Sequence, residues 1–202
     1  MDVINLNPSD KQSAASVITR AFYEYPMIQY YWPDQERKAR HLEWYFECAV
    51  NYGLRYGVVY TNPETSGLSI WLPPGRTKIT TIRYLISGYL RLPLFMGWEN
   101  FNRAKTSDDL ILKVHSELMP NPHWYLWVIA VDPDHQGEGI GSRLLSPGLE
   151  QADMQNLPCY VETHAKSNDT FYTGSGFELV HTQVVPGGDL TFWCYRRAPR
   201  PG

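Results

Sequence analysis

Residues 131–145 place three glycines at alternate positions between an apolar run and an amphipathic run. The stretch is VDPDHQGEGIGSRLL, with Gly137, Gly139 and Gly141 at the entrance of a predicted helix. Glycine costs about 1 kcal/mol relative to alanine inside a helix, so this pattern favours a ligand that needs bare backbone. A helix amino terminus offers unpaired N–H groups and the positive end of the dipole to an anion. The loop therefore predicts a phosphate or pyrophosphate site.

Two common nucleotide motifs do not fit this loop. A triphosphate-binding loop needs GxxxxGK[ST], but no lysine lies between Gly137 and Gln155. A dinucleotide fingerprint needs a glycine where Ser142 stands. A glycine-rich turn without a ligand is the simpler alternative, but three alternating glycines between a strand and a helix favour the anion site.

The composition indicates one globular domain. The chain has 202 residues, 43% of them hydrophobic and 14% aromatic, which is enough to bury one sizeable core. Its net charge is -3, whereas nucleic-acid-binding domains typically carry a basic surface, so no nucleic-acid partner is expected. Cysteines are odd in number and form no CxxC pair, which predicts reduced, buried thiols and no metal site. They are Cys48, Cys159 and Cys194.

No targeting or membrane-spanning segment is predicted. The start, MDVINLNPSDK, has neither the basic nor the apolar region of a secretory signal. The most apolar later segment, IRYLISGYLRLPLFMGW, is interrupted by Arg83, Arg91 and Pro93 before it reaches the run of about 18 apolar residues that a span needs. We expect a soluble, cytoplasmic protein without a membrane partner.

The amino-terminal part of the chain is predicted to be mostly helical. One amphipathic helix follows a capping Ser9, and a second covers residues 34–53 and stops at its final glycine. RYGVVYTNPETSGLSIWLPPG, residues 55–75, is typical of a β-hairpin. Residues 78–116 predict further helices with a break near Pro93.

The carboxyl-terminal part predicts a βαβ unit and a hairpin. WYLWVIAV and LPCYVETH are strands joined by a single helix that ends near residue 155, so they should run parallel. After a short helical turn at SNDTFY, residues 177–197 read as an antiparallel hairpin that turns at Pro186, Gly187 and Gly188. The glycine loop then lies at the carboxyl end of a parallel strand, where open α/β sheets bind ligands.

The motifs resemble those of the GNAT N-acetyltransferase superfamily. QGEGIG fits the Q/R-x-x-G-x-G/A signature, the strand and turn VIAVDPDHQ precede it, and YTGSGF follows it with a tyrosine four residues before a GF pair. AFYEYP, WPD, LLSPGLE, LPCYVETHAKSNDTFY and VPGGDLTFWCYRR further resemble the puromycin N-acetyltransferase group. This likeness is strong over residues 124–197 and weaker before them.

The resemblance implies a fold and assigns different functions to the two parts of the chain. It implies a single three-layer α/β (α+β) domain, with a mixed, mostly antiparallel sheet, a splayed parallel strand pair and flanking helices. Residues 1–116, with a helical insertion at 78–116, would form the acceptor side. Residues 124–197 would form the acetyl-CoA-binding core.

The resemblance also implies acetyl-CoA as cosubstrate and assigns its contacts. Backbone amides of the loop would bind the pyrophosphate, and the strand end would pair with the pantetheine arm like an added strand. An N–H group near Ile129 would polarise the thioester carbonyl. The implied loop residues are Gln136, Gly137, Glu138, Gly139, Ile140, Gly141 and Ser142. The implied strand residues are Ile129, Ala130 and Val131.

Two further side chains have implied roles and structural alternatives. Tyr172 matches the tyrosine that protonates the departing thiolate, although it could equally be a core ring beside Phe171 and Phe177. Asn168 would cap the short helix that carries Tyr172 and touch the cofactor, or serve as a cap alone. Pro147 falls inside the predicted helix and should bend it.

The general base departs from the superfamily pattern. Many members carry a glutamate on the strand before the loop, but here that strand offers Tyr125 and Trp127. Glu162, on the second parallel strand, is the first candidate, acting directly or through a water. His164, two residues on and on the same strand face, is the second. Either residue could instead be structural, and the ammonium could lose its proton to bulk water.

The sequence thus predicts an acetyl-CoA-dependent N-acetyltransferase that acts on a primary amine of a small molecule by direct attack. Aromatic residues of the amino-terminal half would line an acceptor pocket, although most could be core and Trp44 is expected to be. They are Tyr23, Tyr25, Tyr30, Tyr31, Trp32 and Trp44. The alternatives are a non-catalytic acetyl-CoA-binding module and a protein acetyltransferase, which needs an open groove that residues 78–116 would close.

Overall fold

A seven-stranded sheet runs through the computed structural model, which describes residues 2–187 and 190–200. The strand order is β1-β2-β3-β4-β5-β7-β6. Among the described residues, β4 and β5 are parallel and the other neighbours are antiparallel, as predicted. The strands are β1 (Ile4–Asn5), β2 (Val58–Thr61), β3 (Gly67–Leu72), β4 (Trp124–Val131), β5 (Cys159–Thr163), β6 (Glu178–Val184) and β7 (Thr191–Arg197).

Eight α-helices surround the sheet in the described part of the chain. Amino-terminal to β4 lie α1 (Lys11–Phe22), α2 (Pro26–Tyr31), α3 (Gln35–Tyr56), α4 (Thr81–Ile86), α5 (Leu92–Met96) and α6 (Trp98–Leu118). After β4 come α7 (Ile140–Met154) and α8 (Asp169–Gly174). None of the helices in the described ranges has the length and apolar run that crossing a membrane would need.

Side chains along β3 point alternately to the two faces of the sheet, and different helices cover each face. Leu68 and Ile70 pack into the core that α1 and α3 share. On the other face, the Ser69 hydroxyl donates to the carbonyl of Leu144 in α7 at 2.8 Å. Because neighbouring strand residues point to opposite faces, α7 and the α1–α3 pair cover opposite sides of the sheet. The three-layer prediction is confirmed.

Strands β4 and β5 separate after a short paired segment. Their register joins Trp124 to Cys159 and Tyr125 to Tyr160, whereas β4 continues to Val131 alongside β3. An irregularity in the β3–β4 register makes Trp127 an extra residue on β4. A bulge of this kind bends and twists its strand, and it lies beside the point of separation.

Several predicted boundaries are wrong. The helix predicted over residues 34–53 is α3, which continues past Gly53 and ends at Tyr56. Gly53 is required for close packing and not for a helix stop, since a Cβ there would lie 2.7 Å from Ile70. Ser9 is not a helix cap either. It lies in a 3-10 turn capped by the Asn7 side chain, and α1 begins at Lys11.

The helical region before β4 breaks at glycines rather than at Pro93. Pro93 lies in the first turn of α5, where its missing N–H costs little. Gly88 and Gly97 flank that segment with φ of +117° and +79°, angles that favour glycine.

β1 and α2 were not predicted, whereas the helix after β4 and the final hairpin were. Pro147 lies inside α7, and β6 and β7 form the antiparallel hairpin, although Gly188 of its turn lies outside the described residues. All three cysteines are free and buried.

Candidate active site

The three glycines of the loop before α7 are favoured for different structural reasons. Gly137 and Gly139 have φ of +87° and +76°, which side chains rarely adopt, and a Cβ at either would meet nothing within 4 Å. Gly141 lies in the first turn of α7, where a Cβ would approach the Phe171 ring at 3.3 Å. The loop therefore leaves open space above its backbone at the amino end of a helix 15 residues long.

An ion pair holds the start of this loop. Arg20 of α1 donates through Nε to Asp132 at 3.1 Å, and its second guanidinium nitrogen bonds the same oxygen. Asp132 also accepts from the backbone N–H of Asp134 at 3.2 Å. The hydrogen bond from Arg20 holds the pKa of Asp132 below its usual range. The sequence analysis did not identify this pair, because its partners are far apart in the chain.

Polar side chains also link the loop to itself. Gln136 donates through Nε2 to the carbonyl of Val131 at 3.2 Å, and His135 lies 3.3 Å from Glu138. Ile140 is buried at the start of α7, whereas Ser142 is exposed.

The end of β4 presents one unpaired edge. Ile129, Ala130 and Val131 pair with β3, and no described strand pairs with their other edge because β5 has diverged. Backbone groups on that edge are thus available to an extended ligand.

A cavity of about 290 Å³ opens where β4 and β5 separate. Its wall extends to α3 and to the helices of residues 78–116. It includes five predicted site residues, Ile129, Glu162, His164, Asn168 and Tyr172.

Glu162, on β5, carries a carboxylate with a perturbed pKa. Its Oε1 accepts a hydrogen bond from the Tyr125 hydroxyl, and its Oε2 is shielded from water without a partner among the described residues. Burial raises the pKa of Glu162 to about 7, and the hydrogen bond from Tyr125 opposes that rise. A carboxylate that titrates near neutrality suits a general base.

His164 does not lie on the strand, because β5 ends at Thr163. Its backbone N–H donates to the Tyr25 hydroxyl at 2.6 Å, and its Nε2 has no partner among the described residues. Burial lowers the pKa of His164 to about 4, so the imidazole is neutral at pH 7 and a weaker base than Glu162.

Tyr172, on α8, is both a packed ring and a cavity residue. Its ring contacts Phe171, Phe177 and Tyr195. Within residues 2–187 and 190–200 nothing hydrogen-bonds to its hydroxyl, and the residue lines the cavity. Burial raises the pKa of Tyr172 well above its usual value, so the hydroxyl keeps its proton.

Asn168 occupies the N-cap position of α8, but its side chain does not cap the helix, contrary to the prediction. It donates instead to the Thr163 hydroxyl at 2.9 Å. That hydroxyl lies 2.8 Å from the Tyr25 hydroxyl, which in turn accepts from His164. Asn168 and Tyr25 thereby fix the end of β5.

The predicted aromatic residues of the acceptor side only partly line the cavity. Tyr25 does, whereas Tyr31 and Trp32 belong to the core, and Trp44 packs on other rings as expected. Most of the aromatic wall was missed in the sequence because only the packing of distant helices brings it together. It comprises Phe22, Tyr45, Phe46, Tyr84, Tyr89, Phe101 and Trp127.

Comparison with known proteins agrees with this geometry. The family model described as "Acetyltransferase (GNAT) domain" matches residues 106–179. An uncharacterised N-acetyltransferase of Schizosaccharomyces pombe is 26% identical over 175 residues, covering 83% of this chain and 70% of the relative.

Solved structures show the same fold. A crystal structure titled as histone acetyltransferase HPA2 and related acetyltransferase, from Corynebacterium glutamicum, has a TM-score of 0.70 at 20% identity, covering 99% of this chain and 97% of that one. A variant of agmatine N-acetyltransferase has a TM-score of 0.63 at 12% identity, with 98% of each chain covered. The chain thus has the GNAT acetyltransferase fold, and residues 106–179 match the family's domain.

Proposed function

We propose that the protein is an acetyl-CoA-dependent N-acetyltransferase that acetylates a primary amine of a small molecule by direct attack on the thioester. One observation carries the proposal: Glu162 of β5 and Tyr172 of α8 line the same cavity at the point where β4 and β5 separate. A carboxylate can take a proton from the acceptor amine, and a protonated phenol can give one to the departing thiolate.

The chain offers a fitting site for the cosubstrate. Acetyl-CoA, when bound, supplies an acetyl group activated as a thioester. Residues 136–142 would hold its pyrophosphate, since Gly137 and Gly139 leave the backbone uncovered. The free edge of residues 129–131 would receive the pantetheine arm, and Asn168 would add a side-chain contact from the cavity wall.

The catalytic roles follow from the protonation states. Glu162 would take a proton from the substrate ammonium, so that the neutral amine can attack the carbonyl carbon, with His164 as the second candidate. An N–H group near Ile129 would stabilise the negative charge on the carbonyl oxygen. As the N–C bond forms and the C–S bond breaks, Tyr172 would donate its proton to the departing sulfur. The nitrogen would then lose its second proton, and a proton would return to the phenolate of Tyr172.

A small-molecule acceptor is favoured by the enclosing helices. Residues 1–116 would form the acceptor side, and Ile79, Tyr84 and Leu112 from the region after β3 line the cavity. These helices reduce the open groove that a peptide needs. Kinship with the puromycin N-acetyltransferase group is part of this proposal and is supported by the sequence motifs.

The test is coenzyme A thiol release with a broad panel of amines and peptides. We expect amine-dependent release, and a loss of about 10²–10⁴ in kcat/KM for Glu162→Gln but not for His164→Asn. Tight acetyl-CoA binding without release across the panel would indicate a binding module. Release with peptides alone would indicate a protein acetyltransferase.

A further inference from the structure

A second carboxylate lies on the wall of the cavity that holds Glu162. Asp108, on α6, lines this cavity, and one of its oxygens accepts a hydrogen bond from the Tyr31 hydroxyl. No described cationic side chain bonds to it. The nearest lysine along the helix, Lys105, pairs with Asp109. Asp108 therefore has no ion-pair partner among the described residues, and the charge of Lys105 offsets only part of its burial.

Three tyrosine rings line the same cavity as this carboxylate. Tyr84 and Tyr89 stack with centroids 3.7 Å apart, and Tyr45 meets Tyr89 edge-on at 5.4 Å. Burial raises the pKa of all three phenols, and the nearby charge of Asp108 adds to the rise. Neutral aromatic rings beside a carboxylate form a favourable environment for an organic cation.

An uncompensated carboxylate in such surroundings is unfavourable. Burial raises the pKa of Asp108 to about 6, so the group is still mostly ionised at pH 7. Much of the remaining wall is apolar, including Phe22, Phe46 and Phe101. A ligand cation at this position would offset the free energy that the carboxylate loses when it is removed from water.

We propose that Asp108, with the rings of Tyr45, Tyr84 and Tyr89, binds a second cationic group of the acceptor. The acceptor would then be a diamine or a similar dication with an apolar spacer. One amine is acetylated next to Glu162, and the other is anchored at Asp108. This inference rests on the proposed function, because it takes the Glu162 end of the cavity as the reaction site.

The two carboxylates line one cavity of about 290 Å³. The charge of Asp108 contributes to the raised pKa of Glu162. An ammonium at Asp108 would offset that effect, so the second cation would also favour the ionised form of Glu162. A short spacer is therefore expected between the two amines.

The experiment compares unbranched α,ω-diaminoalkanes of increasing length with their mono-N-acetylated forms. Each pair has the same reactive amine and nearly the same spacer, but only the diamine carries a second charge. Coenzyme A thiol release gives kcat/KM for each compound. We expect the best diamine to exceed its mono-N-acetylated form by at least about tenfold, mainly through a lower KM.

Asp108→Asn is the matched variant, because its amide oxygen can still accept from Tyr31 while the charge is gone. It should lose the preference for the diamine. Because the charge of Asp108 also raises the pKa of Glu162, the readout is the ratio of kcat/KM between each diamine and its mono-N-acetylated form, measured in the same variant. Glu117→Gln, an exposed residue of the same helix paired with Lys113, should keep the preference. Circular dichroism melting shows whether each variant is folded.

The outcomes separate the two proposals. Equal use of diamines and their mono-N-acetylated forms by the unaltered chain overturns the Asp108 inference alone, whether or not the variant folds. A preference that survives in folded Asp108→Asn overturns it as well. No thiol release with any amine overturns the proposed function, and the inference with it.

Discussion

The hydroxyl of Tyr125 on β4 donates a hydrogen bond to the carboxylate of Glu162 on the adjoining parallel strand β5. The two strands are still paired at Tyr125 and separate beyond it, so this bond lies where the cavity opens. The resemblance in sequence implies a glutamate on β4, the strand that holds Tyr125. The carboxylate lies instead on β5, and the tyrosine binds it.

Tyr125→Phe should move the pH dependence of catalysis toward alkaline pH. A general base acts when deprotonated, so kcat/KM of the unaltered chain should rise with pH through about 7, the pKa of Glu162. The Tyr125 hydrogen bond lowers that pKa. Its loss should raise the midpoint by about one unit, on the scale of 1.4 kcal/mol per unit.

A pH profile of kcat/KM checks this expectation. Glu162→Gln is the reference, because it should lack the ionisation altogether. A uniform loss of activity in Tyr125→Phe without any shift of the midpoint would mean that the hydroxyl positions groups but does not tune Glu162.

Tyr172→Phe should reduce turnover and leave cosubstrate binding nearly unchanged. The change keeps the packing against Phe177 and removes only the hydroxyl on the cavity wall. Losing a positioned general acid costs about 10²–10⁴ in rate, and the lower end is expected because a thiolate leaves readily. Steady-state kinetics and calorimetric titration of acetyl-CoA measure the two effects separately.

Tyr195→Phe is the matched control for this variant. Its ring lies 5.4 Å from that of Tyr172, but its hydroxyl donates to Asp169. It should retain turnover within about threefold. If both variants behave alike, Tyr172 is a packing residue; an equal loss of binding and turnover in Tyr172→Phe would make it a cosubstrate contact instead.

The parts of the fold and site that depend on local pattern were predictable. Strand β4 has the bounds that its apolar run predicted, and the glycine loop and parallel pair follow from residues adjacent in the chain. Asn168 and Tyr172 were singled out because family motifs bring their spacing with them, and Glu162 because it is a carboxylate on the second parallel strand. All three line one cavity.

The missed features depend on contacts between distant segments. Asp108 looks like one of many acidic residues on an amphipathic helix until α6 packs against the Tyr31 hydroxyl. Arg20 and Asp132 are 112 residues apart. The true end of α3 was also hidden, because Gly53 serves packing against Ile70 and not chain reversal.

Gly139→Val should abolish acetyl-CoA binding without unfolding the chain. The φ of Gly139 is +76°, which a β-branched residue adopts only with strain, and its side chain would enter the open space above the loop. Gly75→Val is the matched control: Gly75 has φ of +80° and equally open surroundings outside this loop. Calorimetry should show a loss well beyond tenfold for Gly139→Val alone. An affinity within about threefold of the unaltered chain would mean that the cosubstrate binds elsewhere.

Asp153→Asn should destabilise the fold in a pH-dependent way. Asp153 of α7 accepts two hydrogen bonds of 2.7 Å from the guanidinium of Arg197 on β7, whose side chain is 4% exposed. Removing the charge leaves this guanidinium without its anion. The expected loss is about 2 kcal/mol, less than for a fully buried pair because Asp153 retains some contact with water.

The hydrogen bonds from Arg197 hold the pKa of Asp153 below its usual range, and this sets the pH window of the effect. A depressed carboxyl pKa contributes stability that is present above the unfolded value of about 3.9 and is lost as pH falls through the lower folded value. Urea unfolding of the unaltered protein and of Asp153→Asn should therefore show the full difference in the free energy of unfolding at about pH 7 and a smaller difference at about pH 3. Glu36→Gln, which breaks the exposed pair with Arg40, should change stability by less than about 0.5 kcal/mol. A difference for Asp153→Asn that is the same at both pH values would assign the loss to packing and not to the ion pair that joins α7 to β7.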